Sequence, residues 1–315
     1  MRSTFRWSVT PLVLMAGFWL DPTRAAAEPG LLLVAHGSPN PEWNKPIVDF
    51  GRRVAEEAGR GGRFKAVRTA MLEAAQPDVP TAVAELEAAG CDRIVAVPLF
   101  VAPSGHTHFD VPAVLGIYWS ERTSAVLAEE KAKAARPKVP ILLAPTLSES
   151  DVLSHYALDQ VRKLSRSSKD EALVILVHGD PEHSLLVEQL MRRVTTHCCG
   201  EAGIGYGDWA SIGVGQEYLS QGVPAIRSAL EHKKRVLVVG LYVSSSAAKI
   251  HQRSAGMKRQ QATAASLLEG KDVVFSDEAI VAHPELLRWV LKAAEAAVAA
   301  DRATASQAAV SPTRE

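Results

Sequence analysis

The stretch "LFVAPSGHTHFDVP", Leu99 to Pro112, sets His106 and His108 one residue apart with Asp110 close behind, directly after an apolar run. Two more residues of the same chemical kind end similar runs: His36 closes "LLLVAH", and Glu73 follows "FKAVRTAML". Imidazole and carboxylate are ligands for divalent transition ions, and two imidazoles with one carboxylate leave coordination positions open. A neutral imidazole can also accept a proton. Each residue has a plainer reading as well. His36 can be a hydrogen-bonded strand end, and Glu73 can cap a helix beginning near Pro77, a task also open to Asp78. His108 reads as a solvent-facing neighbour of His106 or as a relay for protons.

The elements that must carry these residues are legible from periodicity. Continuously apolar runs such as "GLLLVAHGS" and "RIVAVPLF" alternate with helix-length amphipathic segments such as "NKPIVDFGRRVAEEAG" and "VPTAVAELEAAG". Strands apolar on both faces, each followed by a helix, predict a parallel sheet covered on both sides, a doubly wound α/β fold. Ligands of such sheets bind beyond the carboxyl ends of the strands. His36, Glu73 and His106 are all expected at that edge.

The pattern then repeats. "ALVILVHGD" matches "LLLVAHGS", "QEYLSQGVPAIRSAL" matches "LEAAQPDVPTAVAEL", and "RVLVVGLYVSSS" matches "RIVAVPLFVAPS". Similarity over more than a hundred residues predicts two homologous α/β domains from an internal duplication, 28–167 and 168–300, joined near "SRSSKDE". A polar tail, 301–315, is expected to be disordered. In the repeat His178 takes the place of His36 and Glu217 that of Glu73, but Ala248 stands where His106 would be. The asymmetry assigns the site mainly to the first half, and leaves open whether His178 and Glu217 form a second, vestigial one.

Composition bounds the function. With 315 residues, 47% of them hydrophobic and 22% charged, the chain is globular and long enough for two cores. Lys plus Arg number 35, as do Asp plus Glu, so no overall field recruits nucleic acid or an anionic membrane. Residues 1–27 read as a signal peptide: Arg2 and Arg6, an apolar stretch from Trp7 to Leu20, and small residues at Ala25 and Ala27 before the cleavage point; the alternative is an uncleaved anchor helix, against which the stretch is short of the ~20 apolar residues a span needs. The processed protein is expected outside the cytoplasm, in a periplasm, without a membrane span; its oligomeric state is left open. Cys91, Cys198 and Cys199 make no disulfide framework, and "THCCG" offers only a weak soft-metal site through His197 and two thiols. No G-x-S-x-G elbow surrounds Ser38 or Ser104, which argues against a serine hydrolase. The glycines of "GIGYGDW" and "GVGQEYLSQG" lack the context of a dinucleotide site.

"LLLVAHGS", "AMLEAAQPDVPTAVAEL" and "VAVPLFVAPSGHTHFDVP" together resemble the class II tetrapyrrole metal chelatases of the CbiX/SirB type, the sirohydrochlorin cobaltochelatases and ferrochelatases, in their long duplicated form. In that family a His-Gly-Ser follows the first strand, and a second His precedes x-x-x-Asp-(Ile/Val)-Pro. Here these are His36 and His106, with Asp110-Val111-Pro112 completing the motif. One departure concerns the substrate: the family commonly continues with Arg, whereas this chain reads "HGSPNPEWN". The resemblance implies an enzyme that inserts a divalent metal, Co²⁺ foremost and otherwise Fe²⁺ or Ni²⁺, into a tetrapyrrole such as sirohydrochlorin. The metal is then a substrate, and no organic cofactor is expected. His36 and His106 would bind the ion and accept pyrrole protons, with Glu73 assisting, and activity would decline below about pH 6 as imidazoles protonate. The alternative is a periplasmic haem, tetrapyrrole or metal carrier without catalysis.

Overall fold

A computed structural model describes residues 28–129, 132–212, 217–259 and 262–310. The proposed signal peptide, 1–27, lies outside the described residues. The first half runs β1 (Pro29–Ala35), α1 (Pro41–Gly61), β2 (Ala66–Met71), α2 (Val79–Ala88), β3 (Arg93–Pro98), α3 (Val111–Val114), α4 (Glu121–Glu129), β4 (Ile141–Leu143) and α5 (Val152–Leu164). The second runs β5 (Glu171–Val177), α6 (Ser184–Ala202), β6 (Gly207–Ser211), α7 (Val223–His232), β7 (Arg235–Leu241) and α8 (Ala247–Ser254). It continues through a small antiparallel pair, β8 (Lys258–Arg259) and β9 (Ala262–Thr263), then α9 (Ala264–Leu268), β10 (Asp272–Phe275) and α10 (Pro284–Val310).

Each half builds a four-stranded parallel sheet, and the orders correspond: β2-β1-β3-β4 in the first and β6-β5-β7-β10 in the second. The fold class is the doubly wound α/β arrangement expected. Every residue of β1, β5 and β7 is buried, which is why these runs are apolar without alternation. Their faces nonetheless divide strictly. Leu32 and Val34 of β1 join an outer core with α2 and α3, and Ala172, Val174 and Leu176 of β5 join another with α7. Leu31 and Leu33 face inward, as do Leu173 and Ile175, and these inner faces share one core with α1, α5, α6 and α10.

That shared core changes the domain picture. A boundary at 167 assigns α5 to the first half, yet α5 packs on α6 and β7 of the second. Tyr156 of α5 donates its hydroxyl to the backbone carbonyl of Glu278 at 2.7 Å, deep in the second half. In exchange, α10 packs on β3, β4 and α1 of the first half. Arg63 pairs with Glu295 at 3.1 Å, and Arg93 with Asp301, fastening it there. Each sheet is thus closed by the other half's last helix. The disordered tail expected from 301 is corrected by the same packing: α10 continues to Val310, anchored by the Arg93–Asp301 pair. Residues 311–315 lie outside the described residues. Among the described residues no helix is long and apolar enough to cross a membrane.

Candidate active site

His36 leaves the carboxyl end of β1 on a turn whose shape depends on its neighbour. Gly37 has φ +91°, and a Cβ there would meet the Glu73 carbonyl oxygen at 2.1 Å. The close approach joins the β1 and β2 exits, where the Glu73 N–H donates to the His36 carbonyl at 3.1 Å. The glycine of His-Gly-Ser is therefore what lets Glu73 lie beside His36. The capping alternative for Glu73 falls to Asp78, whose Oδ1 accepts from Thr81 N at 2.9 Å.

His106 arrives from β3 by the loop 99–105 and opens a π-helical turn, His106–Asp110, that runs into α3. Thr107 and Ser104 brace the loop, the Thr107 hydroxyl donating to the Ser104 carbonyl at 2.9 Å. The second half also holds it: Gly105 N donates to Asp180 Oδ2 at 2.9 Å. Burial alone would raise the Asp180 pKa, but the N–H groups of Gly105 and Glu182 and the His183 ring outweigh it and hold the carboxyl below its ordinary value.

The two imidazoles meet. His36 Nε2 lies 3.2 Å from His106 Nε2, with the rings edge to face at 87°. On the far side of each ring stands a carboxylate: Glu73 Oε1 is 3.3 Å from His36 Nδ1, and Asp110 Oδ2 is 2.8 Å from His106 Nδ1. His36 Nδ1 also faces the Gly37 carbonyl at 3.0 Å. Acceptors can be met only by an N–H, so both rings must carry a proton on Nδ1. When neutral, both then direct an Nε2 lone pair at the other. Two lone pairs at this separation repel unless an electrophile, a proton or a metal ion, lies between them. Both nitrogens could reach one ion at the ~2.0–2.1 Å usual for imidazole on zinc, with an N–metal–N angle of about 100°, suited to tetrahedral or octahedral geometry.

The expected convergence of His36 and His106 is thus present, and Glu73 lies 3.3 Å behind His36 on its Nδ1 side rather than on the ligating side, while the hydrogen bond from that nitrogen goes to the Gly37 carbonyl. Among the described residues no group of three or more His, Cys, Asp or Glu is placed to hold a metal ion together, so the imidazole pair is the whole donor set. The part played by Asp110 escaped sequence reasoning, which placed it only in the Asp-Val-Pro motif. It is buried, makes no side-chain cap and orients His106 instead. The signal was there in His-x-x-x-Asp, the i,i+4 spacing that brings two side chains together on one turn.

Other candidates separate from the pair. His108 turns away, stacking on His183 of the second half at 5.3 Å between centroids. His178, at the β5 exit, comes within 6.5 Å of His36, centroid to centroid. Desolvation by the surrounding walls lowers its pKa, His36 and His106 lower it further, and Glu217 opposes them. Glu217 keeps a buried Oε2 without a hydrogen-bond partner among the described residues. Phe100 borders both imidazoles, at 6.4 and 6.2 Å, giving the site an apolar wall. The thiol cluster does not form: all three cysteines are free, and burial pushes the Cys198 thiol up to about 12, far from the thiolate a metal requires.

Two doubly wound halves with a carboxylate-oriented histidine pair at one sheet edge define a metal-handling α/β enzyme. The comparisons agree. The CbiX family model matches residues 30–164. The chain is 33% identical over 88 residues to the sirohydrochlorin cobaltochelatase of Methanococcus maripaludis, covering 28% of this chain and 58% of that one. It is 38% identical over 101 residues to the enzyme of the same description from Saccharolobus islandicus, covering 32% of this chain and 74% of the relative. SirB from Bacillus subtilis with Fe³⁺ shares the fold at a TM-score of 0.59 and 13% identity, over 88% of this chain and 98% of its own. The chain belongs to the CbiX family, the class II tetrapyrrole metal chelatases.

Proposed function

We propose that this protein inserts a divalent metal ion, with Co²⁺ the foremost candidate, into a metal-free tetrapyrrole of the sirohydrochlorin type. The observation that carries this reading is the facing pair of Nε2 atoms 3.2 Å apart, each ring fixed from behind by a carboxylate. Insertion requires the ion to exchange its waters for four ring nitrogens while two pyrrolic protons leave. Two imidazoles bind the ion without enclosing it, so positions remain for the incoming ring. As the ion transfers, the vacated Nε2 atoms are the natural acceptors for the departing protons, and the carboxylates at Nδ1 stabilise the imidazolium that results. The metal relatives named above, cobalt and iron, support the choice of a first-row ion.

The test is absorption-monitored insertion of Co²⁺ into sirohydrochlorin by the wild type, His36→Ala and His106→Ala. Each substitution is expected to lower the rate at least about 100-fold. Wild-type rates in both variants would discard the assignment, and tight stoichiometric ring binding without insertion would make the protein a carrier.

We further propose export with cleavage after Ala27. In support, β1 begins at Pro29, two residues beyond the cut, so processing leaves the first sheet whole. Mass spectrometry of the secreted chain should give an N-terminus at Glu28; a retained Met1 in the exported fraction contradicts cleavage.

A further inference from the structure

A cavity of about 220 Å³ lies where the two halves meet. Its walls are segments that leave the carboxyl ends of β1 and β7: Glu42 and Trp43 in the first turn of α1, and Ser244, Ser245, Lys249 and Arg253 from the β7 exit and α8. Three features mark it as a place for an anion. Among the described residues neither Lys249 nor Arg253 has a carboxylate within ion-pair reach, although both are cations of one helix, one turn apart. Arg253 is not loose: its guanidinium lies over the Trp43 ring, 4.5 Å from the centroid, which holds the plane while leaving N–H edges free. Ser245 is only 2% exposed, and its hydroxyl has no hydrogen-bond partner among the described residues. A buried donor left unmet costs free energy comparable to a lost hydrogen bond, so such a group points to a ligand that satisfies it. Glu42 at the wall lowers the local positive charge, which leaves a site for one acidic group rather than a polyanion track.

The position within the repeat gives the site its meaning. Ala248, which stands where the first half has His106, immediately precedes Lys249. The second half has thus lost the metal-binding imidazole and presents cations at the same sheet edge.

We infer that the Lys249–Arg253–Ser245 cavity binds a peripheral carboxylate of the tetrapyrrole, so that one half holds the metal and the other the acid groups of the ring. This inference rests on the proposed chelatase function. Arg253 would meet the carboxylate through its planar N–H edge, Lys249 as a point charge and Ser245 as a neutral donor.

The experiment is equilibrium binding of uroporphyrin I, a metal-free ring with eight carboxylates, followed by fluorescence at low and high salt. It compares the wild type with Lys249→Gln/Arg253→Gln and Ser245→Ala, and Co²⁺ binding without any ring is measured in parallel. The double variant should bind the ring at least about tenfold more weakly and lose much of the salt dependence, with Ser245→Ala several-fold weaker and Co²⁺ affinity unchanged in both. Undiminished ring affinity in the double variant overturns the carboxylate site and leaves the chelatase reading intact. A wild type that binds Co²⁺ but no ring overturns both. Because Arg253 also packs on Trp43, a double variant that loses Co²⁺ binding hands the decision to Lys249→Gln alone, an exposed side chain with no ion pair to lose; unchanged ring affinity there counts against the site.

Discussion

At the residue scale, the site is two imidazoles made useful by the groups behind them. A carboxylate on the Nδ1 side fixes the tautomer and aims Nε2, and removing such a partner typically costs 10–100-fold in metal affinity. Asp110→Asn and Glu73→Gln should each weaken Co²⁺ binding by about that range in calorimetric titration, with Asp110 the larger because its contact, 2.8 Å, is shorter than the 3.3 Å of Glu73. Equal affinities for wild type and both variants would mean that the carboxylates do not position the rings. Metal ligation displaces whatever proton lies between the facing nitrogens, so Co²⁺ affinity should rise with pH. A flat profile would show that the facing nitrogens are not the binding atoms.

At the element scale, strand exits do the positioning, and the tightest is at Gly37. Its φ of +91° disfavours any side chain, and a Cβ would lie 2.1 Å from the Glu73 carbonyl oxygen. Gly37→Ala should therefore cost about 1–3 kcal/mol or more in denaturant unfolding and displace Glu73 from His36, lowering metal affinity together with stability. Asp78→Ala serves as the contrast. It removes the α2 cap and about 1 kcal/mol, with metal binding untouched, because Asp78 is a structural cap and not part of the site. If both variants lost metal affinity equally, the link between the β1 and β2 exits would not be specific to Gly37.

At the scale of the whole molecule, the two halves are interlocked. Since α5 completes the second half and α10 the first, a fragment comprising 28–167 would expose the inner face of its sheet and the apolar face of α5. Such a fragment should show no cooperative thermal transition, whereas 28–310 should unfold in one step; an independently folding 28–167 would refute the exchange. Stability should also depend on pH through Glu171, which Arg235 approaches at 3.7 Å. Burial alone would raise the Glu171 pKa, but the Ser165 hydroxyl, the Arg166 and Ser167 N–H groups and Arg235 outweigh it and hold it below 4.5. A depressed folded-state pKa contributes stability above the unfolded value and loses it as pH falls through the folded one. The melting temperature should accordingly drop below about pH 4.5 in the wild type, and the drop should be shallower in Glu171→Gln.

The sequence by itself determined the sheet and its edge. Apolar strands and amphipathic helices announce themselves by local periodicity, and a parallel sheet then obliges His36, Glu73 and His106 to leave at one end. The correspondence of the halves was equally legible, because identical topologies draw on similar runs of residues. Only the tertiary structure decided which atoms face which: that Glu73 stands behind His36 rather than beside the facing nitrogens, that Asp110 turns inward onto His106, and that Asp180 reaches across to the His106 loop. It also decided that α10 continues past 301 and closes the other half's sheet. Periodicity reports which face of an element is buried, but not against what. Partners remote in sequence are chosen by packing and hydrogen-bond satisfaction over the whole chain, and those exist only once it has folded.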